Sequence, residues 1–414
     1  MVGASLAGLR TVEALRRHGF EGSLTLVGDE PHLPYERPPL SKEVLTGAAE
    51  AGVTRLTSRS ALEEDLAVDL RLGRSAVGLD PAAGLLRLAG RGDRAAEAET
   101  VGFDALVVAT GARARQPFAE PPPGVLTLRT LDDALAVRDR LRSAENVVVV
   151  GAGFVGLEVA SAARSLGLPV TVVEAARTPL SRSIGAEAAS GVMALVRENG
   201  VTVHCGRTVR AFTGSPQLTG VVLDDGATLR ADLAVVGVGA QPNTEWLEGS
   251  GLLLSPAGLC CAADGRADDA GRIWGVGDAV AWRRADGGGY SRHEHWTSAC
   301  DQAQLVARNL LDGGRRGLTA APYVWSDQFG QRLSIVGETD RYDEVREVPR
   351  DGGRPAVLYA RDGRLVGAFV FGQQRLAMLC RRWVAAAAPV HEVPGWEQGA
   401  RAVTEGAGVP ADAG

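Results

Sequence analysis

Two glycine-rich turns, far apart in one chain, constrain this sequence more than any other feature. The first is Gly3-Ala4-Ser5-Leu6-Ala7-Gly8. The second is Gly151-Ala152-Gly153-Phe154-Val155-Gly156, directly after the apolar run Val147-Val148-Val149-Val150. Each opens a stretch that reads as helix; after the first, Leu9, Val12 and Leu15 recur at helical spacing. Such a turn brings backbone N–H groups and the positive end of a helix up to a pyrophosphate. Two copies predict two dinucleotides. The economical pair is a tightly held flavin, FAD, and a transient nicotinamide, so that electrons pass from one to the other.

The second turn is the cleaner. Strand, G-x-G-x-x-G, helix and the next strand, Val170 to Val173, follow in order and end in Glu174. An acid about 20 residues beyond the glycines is placed to hydrogen-bond the ribose 2′-hydroxyl of NAD and to repel a 2′-phosphate. NADH is therefore expected over NADPH, although Arg177 and Arg182 lie just downstream and could accommodate NADPH. In the first turn Ser5 stands where the second glycine usually does, a residue small enough for close backbone approach. Aligning Leu24–Val27 with Val170–Val173 puts Gly28 opposite Glu174, so Asp29 or Glu30 must reach the adenosine ribose. Only Met1 and Val2 precede Gly3, too few for the strand that such a fold needs there, so a further N-terminal segment of several residues is expected.

At 414 residues the chain calls for two or three domains. It is 45% hydrophobic and 23% charged, the make-up of a globular protein, and its formal charge of −6 argues against a nucleic-acid partner. Arginine doublets at 283–284, 315–316 and 381–382 read as solvated surface or as a docking patch for an acidic protein. No apolar run of about 18 residues predicts a membrane span, and no charged segment followed by an apolar one predicts a signal peptide. The five cysteines, at 205, 260, 261, 300 and 380, form no C-x-x-C and no zinc or disulfide pattern, which points to a reducing cytosol.

Along the chain, Ser23–Val27 alternates as a strand and leads into a proline-rich loop over 31–41. Phe103–Val108 reads as a buried strand ending in Ala109-Thr110-Gly111, and 116–124 as a proline-rich crossing linker. A helix closes over Arg138–Ser143, the helix of the second turn runs to about Leu166, Ala234–Val238 is a further apolar strand, and Arg272–Val276 leads into Gly277-Asp278. After Ala320 alternating segments such as Arg332–Val336 and Leu365–Val370 predict a small antiparallel C-terminal domain. The tail after Gly399 is small and polar and is expected to be disordered. The predicted fold class is α/β: two Rossmann-like dinucleotide-binding domains, for FAD and NAD, plus a small α+β C-terminal domain. The expected boundaries are 1–112 and 242–320 for the FAD domain, 113–241 for the NAD domain and 321–414 for the last.

The stretch from Val27 to Lys42, Val-Gly-Asp-Glu-Pro-His-Leu-Pro-Tyr-Glu-Arg-Pro-Pro-Leu-Ser-Lys, resembles the flavin loop of the ferredoxin reductases of oxygenase systems, the putidaredoxin reductase-like family of glutathione-reductase-type flavoproteins. Ala109-Thr110-Gly111, Gly237 to Asn243, Gly275 to Ala279, Glu294-His295-Trp296 and Trp325 to Phe329 match in the family's order over nearly the whole chain. The resemblance implies that Gly3, Ser5, Leu6, Ala7 and Gly8 line FAD together with Asp29, Glu30 and Ala109 to Gly111. It implies that Arg37 and Lys42 contact the flavin, Lys42 near the isoalloxazine, where a cation favours the ring that becomes anionic on reduction. Val77 would hold the adenine side through its backbone, Arg129 would meet FAD near the domain crossover, and Gly277 and Asp278 the ribityl or pyrophosphate. Glu294, His295 and Trp296 would lie near the flavin, Trp296 at its pyrimidine end. On the nicotinamide side it implies Gly151, Gly153, Phe154, Val155, Gly156, Glu174, Arg182, Val238 and Gly239, with Glu158 approaching the nicotinamide and pairing with Lys42. Lys42 and Glu158 are the two candidates nearest the chemistry. Trp325 and Phe329 read either as core aromatics or as residues at the flavin edge. His293 and His295 flank Glu294 but lack a third ligand, so no metal is expected.

The helix after Gly3 holds no cysteine, nor does the loop through Ser41-Lys42, so no thiol relay is available. With the two turns, the resemblance implies a cytosolic FAD enzyme that takes hydride from NADH and passes electrons singly to a [2Fe–2S] ferredoxin serving an oxygenase or cytochrome P450. The alternatives are an NAD(P)H-dependent reductase of a small molecule such as a quinone, an NADH-sensing redox protein similar to apoptosis-inducing factor, and a paralogue that has lost FAD.

Overall fold

The computed structural model describes residues 1–90, 98–284, 287–350 and 353–397. The tail after Gly399, expected to be disordered, lies outside the described residues. The chain divides into two compact units. One comprises 1–121, 126–143 and 237–319; the other comprises 122–125, 144–236 and 320–414.

The first unit is built on a parallel sheet. Its order is Val68–Leu72, Leu24–Gly28, the stub at Val2, Leu106–Val108 and Ile273–Gly275. Val2 occupies the centre: its N–H donates to Val107 O (3.0 Å), and its carbonyl accepts from Ala109 N (2.7 Å). Leu106–Val108 and Ile273–Gly275 are wholly apolar and buried, as strands covered on both faces require, whereas Val68–Leu72 alternates with polar residues at the edge. Helix Leu6–Arg17 covers one face with Leu9, Val12 and Leu15, and helix Trp296–Asp312 packs beside it through Ala307. The same unit holds an antiparallel meander, Arg74–Asp80, Leu85–Gly90 and Glu99–Gly102, and a four-stranded sheet in the order Leu254–Ser255, Gly258–Cys261, Val280–Arg283 and Tyr290–Ser291. The strand expected from Phe103 begins at Leu106, because Phe103 N bonds Gly84 O in the meander instead.

The second unit repeats the parallel theme in the order Thr202–Cys205, Val170–Glu174, Val147–Val150 and Leu233–Val236. The last strand ends two residues short of the expected Val238. Helix Phe154–Ser165 buries Leu157, Val159, Ala160 and Ala163 against it. The C-terminal segment forms a five-stranded antiparallel sheet in the order Tyr323–Gln328, Gln331–Gly337, Arg364–Phe371, Ala356–Arg361 and Glu344–Val348. Helix Gln374–Ala385 covers one face through Ala377 and Cys380. The architecture is the predicted α/β fold with a small α+β C-terminal domain.

The C-terminal sheet meets helix Ser181–Glu198 at a kink. Gly185 there has φ 74° and ψ 164°, a region essentially reserved for glycine. A Cβ on Gly185 would lie 3.0 Å from a ring carbon of Tyr359 and 3.1 Å from the Tyr342 hydroxyl, and the Tyr359 hydroxyl donates to the Ile184 carbonyl. Gly185→Ala is expected to lower the unfolding free energy by about 1–3 kcal/mol. Urea denaturation checks this, and unchanged stability would mean that the kink is dispensable.

Candidate functional site

Both glycine turns are held by backbone contact. Gly3 (φ +121°) and Gly151 (φ +103°) adopt conformations that favour glycine. Each donates its N–H to the strand alongside, Gly3 to Val27 O and Gly151 to Val173 O, both at 2.8 Å. A Cβ on Gly8 would lie 2.0 Å from Gly3 O, and one on Gly156 2.2 Å from Gly151 O. Ser5 and Gly153 are the N-caps of the two helices. Neither helix has a side-chain cap or an acidic residue in its first turn. The space beside Gly153 is open, with nothing within 4 Å of a Cβ placed there. Two helix N-termini without side-chain caps or acids, each at the end of a parallel strand, fit two pyrophosphates.

Glu174 ends its strand beside the second turn. Its two oxygens accept from Ala152 N and Ala176 N, both at 2.7 Å. The acid therefore braces the glycine turn and the loop that follows its own strand. Phe154 is half-buried and Val155 is exposed at the head of the helix. Arg182 is exposed in the first turn of helix Ser181–Glu198. Val238 and Gly239 follow the last parallel strand, and Gly239 O accepts from Arg115 N (2.9 Å).

The two acids after Gly28 face different partners. Asp29 accepts from the Ser75 hydroxyl on the meander. Glu30 accepts from Arg37 Nη2 (2.8 Å) and from the Tyr35 hydroxyl. Two residues beyond Ser75, the pairing of Arg74–Asp80 with Leu85–Gly90 shifts: Ala76 opposes Leu88 and Gly78 opposes Arg87. Val77 is the extra residue of a β-bulge, whose backbone the ladder leaves unpaired. Asp29 and Val77 thus share one edge, whereas Glu30 belongs to a charged cluster further along.

That cluster joins residues distant in sequence. Arg37 Nη1 donates to Arg129 O (2.6 Å), and Arg129 in turn pairs with Asp278 (2.5 Å) and donates to Ala112 O (2.9 Å). Tyr35 Oη accepts from Leu131 N (3.1 Å). Arg129 precedes a helix closed by a capping box between Thr130 and Asp133, which fixes its backbone. Burial works against the Arg37 charge, but Tyr35 and Glu30 outweigh it and its pKa is raised. Burial also pushes the Tyr35 phenol up. A Cβ on Gly277 would lie 3.0 Å from that of Ala7, so the Gly277–Ala279 turn lies beside the start of the first helix.

Ala109-Thr110-Gly111 is clasped to Asn243. Thr110 Oγ1 donates to Asn243 O (2.7 Å), Asn243 Nδ2 returns to Thr110 O (3.0 Å), and Asn243 N donates to Gly111 O (2.9 Å). Glu294 pairs with Arg292 (2.5 Å), which also donates to Ala240 O (3.3 Å). Burial pushes the Glu294 carboxyl up, opposed by Arg292. His295 caps helix Trp296–Asp312, and burial lowers its pKa to about 4, so it is neutral near pH 7. Lys42 is half-buried, and its ammonium donates to Pro38 O (2.9 Å). In the second unit Glu158 is buried at 7% exposure on helix Phe154–Ser165 and accepts from Ser326 Oγ (2.6 Å). Ser326, Tyr35 and Arg292 were not foreseen from sequence. Among the described residues no group of three or more His, Cys, Asp or Glu could hold a metal, all five cysteines are free, and no helix is long and apolar enough to cross a membrane.

Comparison with known proteins gives two family matches. Residues 1–303 match the pyridine nucleotide-disulphide oxidoreductase model, and residues 323–394 match the reductase C-terminal model. The ferredoxin reductase component of chlorobenzene dioxygenase from Cupriavidus sp. (strain PS12) is 35% identical over 94% of this chain and 93% of its own. Rhodocoxin reductase of Rhodococcus erythropolis is 33% identical over 94% of this chain and 90% of its own. Among solved structures, the reductase of a covalent putidaredoxin reductase–putidaredoxin complex superimposes with a TM-score of 0.87 at 30% identity, covering 94% of this chain and 93% of that one. The ferredoxin reductase for the CYP199A2 system of Rhodopseudomonas palustris gives 0.87 at 32% identity, with 97% and 96% covered.

Two outcomes follow from this geometry. Gly156→Ala, whose Cβ must push the helix off Gly151 O, is expected to weaken NADH binding tenfold or more, about 1.4 kcal/mol, while FAD absorbance per mole of protein stays unchanged. Equal loss of both nucleotides would refute it. His295, at about 4 when folded against roughly 6.5 unfolded, binds more protons in the unfolded chain between those values. Its contribution to stability is therefore complete above the upper value and is lost as pH falls toward the lower one. Urea unfolding at pH 7 and pH 4.5 should show a smaller acid loss for His295→Gln than for the wild type.

Proposed function

Because the chain belongs to the pyridine nucleotide-disulphide oxidoreductase family, we propose that it is a cytoplasmic FAD-dependent enzyme that oxidises NADH and reduces a [2Fe–2S] ferredoxin serving an oxygenase or cytochrome P450. The observation that carries this reading is the pair of glycine turns, each at the uncapped end of a helix, in a chain whose cysteines build no redox pair. FAD, when bound, accepts hydride from NADH and gives its electrons up one at a time, which matches a two-electron donor to a one-electron carrier. Relatives over nearly the full length are ferredoxin reductase components of dioxygenase systems, and one structural neighbour was solved joined to putidaredoxin. In this assignment residues 1–112 and 242–320 carry FAD, 113–241 carry the nicotinamide, and 321–414 form the C-terminal domain. Cytoplasmic placement is supported by five free cysteines.

The roles divide by what each residue touches. Gly3, Ser5, Leu6, Ala7 and Gly8 present helix N–H groups to the flavin pyrophosphate. Asp29, beside the bulge at Val77, takes the adenosine ribose, because Glu30 is committed to Arg37 and Tyr35. Arg37, Arg129 and Asp278 hold one another rigidly, so that their remaining hydrogen-bonding capacity meets FAD without reorganisation. Lys42 sets a cation near the isoalloxazine, with Glu294, His295 and Trp296 nearby; His295, neutral, adds no charge. Gly151, Gly153, Phe154, Val155 and Gly156 seat the nicotinamide pyrophosphate, Glu174 its ribose, and Glu158 approaches the nicotinamide. Hydride transfer needs no acid or base, so these residues bind and orient.

A visible spectrum, recorded before and after anaerobic NADH, tests the assignment. Flavin bands that bleach promptly with NADH and far more slowly with NADPH support both nucleotide sites, and saturable reduction of an added [2Fe–2S] ferredoxin supports the acceptor. Prompt bleaching with turnover by quinone alone would make the protein a small-molecule reductase. Flavin that is reoxidised slowly, with an NADH-dependent change in oligomeric state, would make it a sensor. Glu174→Ala should raise the KM for NADH by about tenfold or more, the cost of losing charge-assisted hydrogen bonds, without making NADPH a good donor, because the same acid braces Ala152 and Ala176.

A further inference from the structure

We propose that Ser326, on the C-terminal sheet, is a positioning residue for Glu158, held in that task by Gln328. The inference rests on the assignment of Glu158 to the nicotinamide. Strand Tyr323–Gln328 alternates as strands must, so Ser326 and Gln328 share one face and Tyr323, Trp325 and Asp327 the other. The first face packs on helix Phe154–Ser165. Ser326 and Gln328 are each only 1% exposed there, beside a Glu158 that is 7% exposed.

The polarity of the contact is fixed by chemistry. Gln328 Nε2 can only donate, and it lies 2.9 Å from Ser326 Oγ. The hydroxyl therefore accepts from the amide and spends its single proton on Glu158 Oε1, 2.6 Å away. Two donors in series, away from water, strengthen one another and set the plane of the carboxylate. A carboxyl group held in one plane by that hydroxyl is an oriented hydrogen-bonding partner for a primary carboxamide, the group that distinguishes a nicotinamide ring from a bare pyridine.

The hairpin that carries the two residues is itself tied down. Its turn is Phe329-Gly330, with φ 49° and 73°. A phenylalanine in the left-handed region is strained and persists only where its surroundings impose it. Here Phe329 N donates to Ser161 Oγ (2.7 Å), one turn beyond Glu158 on the same helix. On the opposite face Arg332 grips Asp327 through two contacts of 2.8 and 2.9 Å. The hairpin tip is thus pinned to the helix on one side and stiffened across its strands on the other.

The test compares Ser326→Ala, Ser326→Thr, Glu158→Gln and the double variant Ser326→Ala/Glu158→Gln, all as FAD-loaded protein. NAD⁺ binding is measured by calorimetry and flavin reduction by NADH in single turnover. Ser326→Ala is expected to weaken NAD⁺ about tenfold and to slow reduction to a similar extent, the scale of one buried charge-assisted hydrogen bond. Ser326→Thr, which keeps the hydroxyl, should restore both to near wild type. Glu158→Gln should be impaired, and the double variant no worse than Glu158→Gln alone, because both changes remove one device. Electron transfer from the photoreduced proteins to a [2Fe–2S] ferredoxin should be unchanged by Ser326→Ala, whereas general damage to the C-terminal domain would slow it. Wild-type behaviour of Ser326→Ala beside an impaired Glu158→Gln, or additive losses in the double variant, would overturn the positioning role while leaving the assignment of Glu158 intact. A fully active Glu158→Gln would overturn both. Should Ser326→Ala fail to fold, Ser326→Cys, nearly isosteric with a weaker donor, takes its place with the same expected loss.

Discussion

Each half of the molecule depends on a helix that touches a strand with no side chain between them. Gly8 lies over Gly3 O, and Gly156 over Gly151 O, at distances where a methyl group would collide with the carbonyl. That contact allows the helix to start directly at the carboxyl end of the strand, which leaves its first N–H groups pointing into the crevice where ligands of parallel sheets bind. Val2 bridges Val27 and Val108, and hydrogen bonds with both neighbouring strands hold the turn that follows.

Around the first turn, the chain spends its charged residues on one another. Glu30, Arg37, Arg129 and Asp278 form a connected set, with Tyr35 joined at one end. An arginine bound on one side to a carbonyl and on the other to a carboxylate has few rotamers left. A partly buried network of this kind adds little net stability. Its value in the proposed role is geometric: donors that are already fixed would meet a ligand at little further entropic cost. His295 stays neutral in this neighbourhood because burial disfavours its charged form more than the Asp278 carboxylate favours it.

Much of this was legible in the sequence. The two turns, the acid at 174 and the apolar strands leading to them are local patterns, and local patterns survive folding. The parallel sheets and the antiparallel C-terminal domain agree with what the motifs implied. What could not be read was the choice among nearby residues. Asp29 and Glu30 are adjacent acids; only the packing of the meander, which brings Ser75 to one and leaves Arg37 and Tyr35 to the other, separates them. The same holds for Ser326. In sequence it is a small residue between an aromatic and an acid, and its contact lies 168 residues away. The kink at Gly185 was also hidden, because Gly185 there reads as one weak helix former in a helix that otherwise propagates through it.

Glu174 illustrates why a motif residue has more than one physical task. The usual account of an acid at this position is discrimination: it binds a ribose hydroxyl and repels a phosphate. Here both carboxylate oxygens also accept backbone N–H groups, one from the glycine turn itself and one from the loop that follows the strand. In the role proposed for it, the acid would act on selectivity twice, by its charge and by the shape of the turn that it braces. Replacing it would then remove the repulsion of a 2′-phosphate and also loosen the backbone amides it holds. Exchange of this one side chain would not convert one coenzyme preference cleanly into the other. Conversion would require a second group, such as a cation in the place of Ala176, together with something else to hold Ala152.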